Sequence, residues 1–176
     1  MALVGEVEAE LGAVTLLVNS ASVFEHDAFS DMNRASWDAH METNLRAPLV
    51  LAQAFARRLP AGREGLIVNI LDQRVWRPTP EFFSYSLSKA ALWDATRMLA
   101  QALAPHVRVN GIGPGPTLAS VHQDDEAFAA EVNSTLMERA VDPAEIARAL
   151  KYLIDAHAVT GQMIAVDSGQ HLAWRN

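Results

Sequence analysis

Tyr85 and Lys89 stand four residues apart in the stretch Tyr85-Ser86-Leu87-Ser88-Lys89. On a helix such a pair shares one face, so the ammonium can lie near the phenol and lower its pKa from about 10 toward neutrality. The phenol then serves as general acid for a developing alkoxide, or as base in reverse. The chain holds two tyrosines and two lysines, so their pairing at this spacing is informative. Elsewhere in the chain lie three groups of small or polar residues: Asn19-Ser20-Ala21-Ser22 and Asp72 upstream, and Gly113-Pro114-Gly115-Pro116-Thr117 downstream. Each follows an apolar run, and in an open parallel sheet the carboxyl ends of the strands are where ligands bind.

Those runs set the architecture. Residues 14–18, 66–71, 107–112 and 163–167 are rich in Val, Ile and Leu, which predicts strands covered on both faces. Helical patterns separate them. Leu3, Val7 and Leu11 repeat at helical spacing over 2–11, with Gly12 as a stop. A long apolar-periodic stretch over 37–59 follows Asp31 and Ser36, either of which could cap it, with Pro48 as a kink or break. Another spans 82–104, with Leu87, Ala91, Ala95, Met98 and Ala102 along one side. Asp142-Pro143-Ala144-Glu145 predicts a capped start for a helix reaching residue 155. Strands alternating with helices predict an α/β fold, a parallel sheet with helices on both faces, in one domain.

Composition narrows the function. The 176 residues carry a formal net charge of −7, which argues against a phosphate-neutralising nucleic-acid surface. Half the residues are apolar, as in ordinary globular proteins, and no apolar stretch approaches the roughly 20 residues of a bilayer span. There is no cysteine, and the acidic start does not read as a secretory signal, so a cytoplasmic protein is expected. The six histidines show no pair at ligand spacing, so no metal site is expected.

Asn19-x-Ala21, the strand-end Asp72, Tyr85-x-x-x-Lys89, Asn110-Gly111-x-x-Pro114-Gly115 and the closing Gly161-Gln162-x-x-x-Val166-Asp167-Ser168-Gly169 occur in this order. In that combination the chain resembles the short-chain dehydrogenase/reductase family over essentially its whole length. The resemblance implies a Rossmann-like sheet and an NADP cofactor, with NAD not excluded. It also implies a small-molecule substrate and a dimer or tetramer built through the two long helices. It implies that Asn19 lies by the adenosine ribose and braces the central sheet, that Asn44 is the active-site asparagine, and that Tyr85 is the proton donor. By the same resemblance Lys89 binds the nicotinamide ribose, Ala21 and Ser22 border the cofactor, and Pro114, Gly115 and Thr117 shape the wall around it. In the family, the stretch equivalent to 118–137 is a mobile lid; a solvated acidic helix pair is the other reading of these residues.

Two departures sharpen the expectation. Asp72 stands where the family usually has a carbonyl-orienting serine. An ionised carboxylate there opposes deprotonation of Tyr85 and repels an oxyanion, so simple ketone chemistry is disfavoured. It suits a substrate that offers N–H donors or needs a proton relay. The second departure is Asn19-x-Ala21-Ser22-x-Phe24. Both features are similar to the pteridine reductase and dihydromonapterin reductase branch, which implies that Asp72 relays protons to a pterin and that Phe24, with Ser22, forms its site. Hydride transfer to a pterin-like C=N or to a carbonyl is the expected reaction.

The nine glycines include no Gly-rich phosphate loop between a strand and a helix. The family normally opens with three strands that have no counterpart here, so residues 1–176 are expected to be a partial Rossmann-like domain, its C-terminal two-thirds. In this expectation Val14-Thr15-Leu16-Leu17-Val18 is a bare apolar edge. Two readings stay open: the catalytic part of a reductase that is active in a longer form, or a non-catalytic remnant acting as an oligomerising or interaction module.

Overall fold

The computed structural model describes residues 2–174. Four parallel strands, β1 (Leu16–Asn19), β2 (Gly65–Ile70), β3 (Val107–Pro114) and β4 (Met163–Val166), form a sheet in sequential order. Ile67 registers with Val109 and Val68 with Asn110, and Leu17 with Ile67. The helices are α1 (Ala2–Leu11), α2 (Arg34–His40), α3 (Ala47–Arg58), α4 (Phe83–Leu103), α5 (Asp125–Asn133) and α6 (Pro143–Asp155).

The apolar strands follow from burial on both faces. On one face Ile67 and Val109 pack with Ala52 and Phe55 of α3 and Ala100 of α4. On the other, Leu66, Val68 and Ile112 pack with Leu153 of α6. All residues of β2 but Ile70 are buried, whereas β1 pairs on one side only and leaves Leu16 half-exposed. The expected fold class therefore holds, with β1 an edge of the described sheet.

Several local expectations need correcting. Leu3 and Leu11 of α1 lie exposed, and Val4 is the buried residue. Neither Asp31 nor Ser36 caps α2: Asn33 does, accepting from the backbone N–H groups of Ala35 and Ser36. Asp31 accepts instead from Ala28 N, and Ser36 Oγ donates to Asp27. The stretch 37–59 is divided before Pro48 by a π-helical segment, Met41–Arg46, so Pro48 falls in the first turn of α3. Proline has no N–H for the carbonyl four residues back, here Asn44, and a wider turn ahead of it removes the conflict.

Helix α4 also turns the other way. Its buried residues are Ser84, Tyr85, Ser88, Lys89, Leu92, Thr96 and Ala100, while Leu87 and Met98 are exposed. The sheet-facing side is the polar one because its groups find partners. Asn19 Nδ2 donates to Asn69 Oδ1 at 2.8 Å, Asn69 Nδ2 to Thr96 Oγ1 at 2.8 Å, and Thr96 Oγ1 to the Leu92 carbonyl at 2.8 Å. This chain of buried hydrogen bonds ties β1, β2 and α4 together. The capping box at Asp142 and Glu145 forms as expected. Beyond its end, Arg108 of β3 donates to the carbonyls of Leu153 and Ala156 at 2.8 and 3.1 Å, closing the last turn of α6.

Candidate active site

A cavity of about 590 Å³ opens at the carboxyl ends of the strands. Phe24 arrives from the loop after β1, Asp72 from the end of β2, Tyr85 from the first turn of α4, and Pro114, Gly115 and Thr117 from the end of β3. These six line the cavity together. Asn19, Ala21, Ser22, Asn44 and Lys89 do not line it, and they act, where they act, from behind or beside the wall.

The start of α4 is built from afar. Asp27 is 4% exposed and accepts from Ser84 N at 2.9 Å and Ser36 Oγ at 2.7 Å, and its carbonyl takes Phe83 N at 3.0 Å. Burial works against its ionisation, but the hydrogen bonds from Ser84 and Ser36 and the charge of His40 hold the carboxyl below its ordinary value. A carboxylate is thus set at the positive end of the helix that carries Tyr85. Phe82, just before α4, has a left-handed backbone (φ 53°), which aims its ring to stack on Phe24 at 4.2 Å between centroids.

Within the cavity Tyr85 Oη donates to Asp72 Oδ2 at 2.7 Å, and Asp72 Oδ1 accepts from Arg74 N at 2.7 Å. Burial, then the charge of Asp72 and the bond to it, push the Tyr85 phenol well above its usual pKa. Burial likewise raises the Asp72 carboxyl, against the Arg74 N–H, the Tyr85 hydroxyl and the charges of Arg74 and Lys89. Burial and Asp72, rather than Lys89, set the direction of the Tyr85 shift, against the expectation that Lys89 lowers it. Lys89 Nζ donates to the Ile70 carbonyl at 2.8 Å and lies 5.7 Å from the Tyr85 ring centre, so Asp72, in direct contact, dominates the phenol. Burial brings the Lys89 ammonium down to about 8, against the opposing charge of Asp72.

Asn44 occupies the π-helical segment, 1% exposed, with its amide committed on both sides. Its Oδ1 accepts from Val23 N at 2.8 Å and Ser22 Oγ at 3.1 Å. Its Nδ2 donates to the Val23 carbonyl at 2.9 Å and Ser88 Oγ at 3.0 Å. The side chain thus clamps the loop that delivers Phe24 to the helix that delivers Tyr85. Gly115 serves a close approach: a Cβ there would come within 2.7 Å of Asp167 Cα, and its N–H donates to the Val166 carbonyl at 3.0 Å.

Residues 118–137 cross the cavity mouth and contain one helix, α5, rather than a pair. His122 Nε2 lies 3.0 Å from Glu25 Oε2, and Glu131 accepts from Gln123 at 2.7 Å and Gln170 at 3.0 Å, tying the segment across the opening. Sequence reasoning missed Gln73, Arg74, Phe82 and Gln170 as wall residues, whereas Glu131 falls in the 118–137 stretch that the resemblance set over the site. Gln73 and Arg74 adjoin Asp72, which was the available signal; Phe82 and Gln170 carry no motif.

A parallel sheet with a Tyr-x-x-x-Lys helix at its carboxyl edge defines a class, and comparison agrees with it. A family model described as enoyl-(acyl carrier protein) reductase matches residues 1–171. The chain belongs to the short-chain dehydrogenase/reductase family. Within it, the chain is 34% identical over 134 residues to dihydromonapterin reductase of Escherichia coli O6:K15:H31 (strain 536 / UPEC), a match covering 75% of this chain and 56% of that relative. It is 48% identical to the FolM alternative dihydrofolate reductase 1 from Brucella suis, solved in complex with NADP, with a TM-score of 0.97 over 99% of this chain and 71% of that one. A blue fluorescent protein from a metagenomic library, in complex with NADPH, is 30% identical with a TM-score of 0.88, over 96% of this chain and 70% of that one. The chain thus spans little more than half the length of the curated relatives it matches.

Proposed function

We propose that this chain carries the catalytic portion of an NADP-dependent reductase acting on a pterin-like substrate. The Tyr85 Oη to Asp72 Oδ2 hydrogen bond inside the cavity carries the reading. The similarity to a dihydromonapterin reductase and to an NADP-bound FolM supports substrate class and cofactor. The residues fit the nicotinamide end of such a cofactor: Tyr85, Pro114, Gly115 and Thr117 border one continuous cavity, and Lys89 uses one of its three protons on Ile70. Bound, the cofactor supplies the hydride.

The chain's own residues supply the proton. Tyr85 holds its proton at neutral pH and presents it at Oη, for a substrate nitrogen or oxygen beside the carbon that gains hydride. Asp72, half-buried and with its carboxyl raised, can take up a proton and return it to Tyr85, or accept an N–H of the substrate. Asn44 positions both sides of the site. Phe24, stacked on Phe82 and edge-on to Tyr85 at 4.7 Å, forms an apolar wall for a flat heterocycle.

The reading extends to a homo-oligomer in the cytoplasm. The outer faces of α3 and α4 leave an apolar groove between Leu49, Ala52, Leu99 and Leu103, suited to a second copy, and the lack of cysteine suits a reducing compartment. Among the described residues no helix is long and apolar enough to cross a membrane. The second reading, a non-catalytic interaction module, draws on the one-sided pairing of β1. NADPH oxidation by the purified chain, assayed against dihydrobiopterin and a panel of small ketones, separates the readings. Turnover of the dihydropterin that falls on Asp72→Ala supports the reductase. Turnover of ketones alone, unaffected by Asp72→Ala, overturns the pterin assignment.

A further inference from the structure

Three glutamines line the cavity, and they differ in one respect. Gln123 and Gln170 both donate to Glu131. Gln73 does not share their fate: it is 6% exposed, its Oε1 is buried without a hydrogen-bond partner, and its Nε2 makes no hydrogen bond among the described residues. Buried amides are almost always paired, so a carboxamide left idle on a cavity wall calls for a partner from outside the chain.

Its placement is fixed by the backbone. Gln73 opens the 3-10 turn Gln73–Val75 directly after Asp72, and its carbonyl takes Trp76 N at 3.0 Å. The neighbouring Asp72 already holds a protein donor on each oxygen, Arg74 N on one and Tyr85 Oη on the other. Arg74 is likewise engaged, donating to Thr79 with its guanidinium 5.2 Å from the Phe82 ring centre. The free polar group beside the catalytic pair is thus one donor and one acceptor held side by side. Turning the amide over exchanges the two without changing what is offered.

We propose that the Gln73 carboxamide, through a side-chain turn that brings its buried Oε1 to the cavity, reads the lactam edge of the substrate, pairing through two hydrogen bonds with a ring N–H and its adjacent carbonyl oxygen, as a pteridin-4-one presents. The proposal rests on the pterin reading above and makes Gln73 a specificity-determining residue of the same site. Because the amide makes no hydrogen bond to the rest of the chain, replacing it should cost binding and not stability.

Equilibrium binding of two probes, pterin and 3-methylpterin, with NADP⁺ saturating, tests it. Methylation at N3 removes the ring N–H and blocks that edge. Gln73→Met, close in volume and without polar atoms, should weaken pterin binding about tenfold or more, equivalent to roughly 1.4 kcal/mol. It should leave 3-methylpterin nearly unchanged, so the wild-type preference between the probes collapses. Its melting temperature should equal or exceed that of wild type. Equal weakening of both probes, an unchanged preference, or a lowered melting temperature with the preference intact overturns the role of Gln73. If wild type binds neither probe, the pterin reading falls and the Gln73 proposal with it.

Discussion

The Tyr85 hydroxyl donates to Asp72 Oδ2 at 2.7 Å, so the candidate acid and the strand-end carboxylate form one proton-sharing unit. Two consequences are measurable. Tyr85→Phe should lower turnover by about 10²- to 10⁴-fold, the usual range for losing a general acid. In a Tyr152→Phe background, where Tyr85 is the one tyrosine left, tyrosinate absorbance should develop only well above the ordinary tyrosine range, and Asp72→Asn should bring it down. An unshifted titration on removing the Asp72 charge would show that the carboxylate does not govern the phenol.

Lys89 titrates in the folded chain at about 8, below its ordinary 10.5, because burial disfavours the ammonium. Below pH 8 both folded and unfolded states hold the proton, and the buried charge weighs against folding. Between about 8 and 10.5 the unfolded state binds more protons, so this contribution to stability rises with pH. Thermal unfolding of wild type and Lys89→Met from pH 7 to pH 10 should show wild type gaining on the variant across that window. A pH-independent difference would contradict the buried-ammonium assignment.

Asn44 makes hydrogen bonds on both sides of its amide, to Ser22, Val23 and Ser88. Asn44→Leu should therefore destabilise the chain by about 2–3 kcal/mol, since it strands buried polar groups on two elements. Amide exchange at Val23 should quicken more than exchange in β2. A loss spread evenly over the fold would argue against a local clamp.

Gly115 sits where β3 crosses the chain after β4, with Asp167 Cα 2.7 Å from the position of any Cβ. Gly115→Ala should cost about 1–3 kcal/mol or more in denaturant titration, because both partners in the clash are backbone-anchored. Gly62→Ala meets no atom within 4 Å but adopts φ 77°, so it isolates the smaller conformational penalty. Equal costs at the two sites would show that the β3/β4 crossing relaxes freely.

Much of the frame was legible in the residues themselves. Runs rich in Val, Ile and Leu mark β2 and β3 because both their faces are covered, and the Asp142 capping box marks the start of α6 because its hydrogen bonds close within four residues. Tyr85, Lys89 and Asp72 were visible as types at a spacing, since helical periodicity and strand ends are local properties. Which side of α4 faces the sheet was not legible. Ser88, Lys89 and Thr96 are inside because Asn44, the Ile70 carbonyl and Asn69, distant in sequence, satisfy them, and apolar periodicity carries no record of such partners. The cap of α4 by Asp27 and the idle amide of Gln73 lie equally beyond local pattern. The sign of the Tyr85 shift belongs with them. The spacing to Lys89 is a matter of sequence, but burial and a carboxylate 2.7 Å away are decided by how β2 and α4 pack, and at that distance they outweigh an ammonium held on another carbonyl.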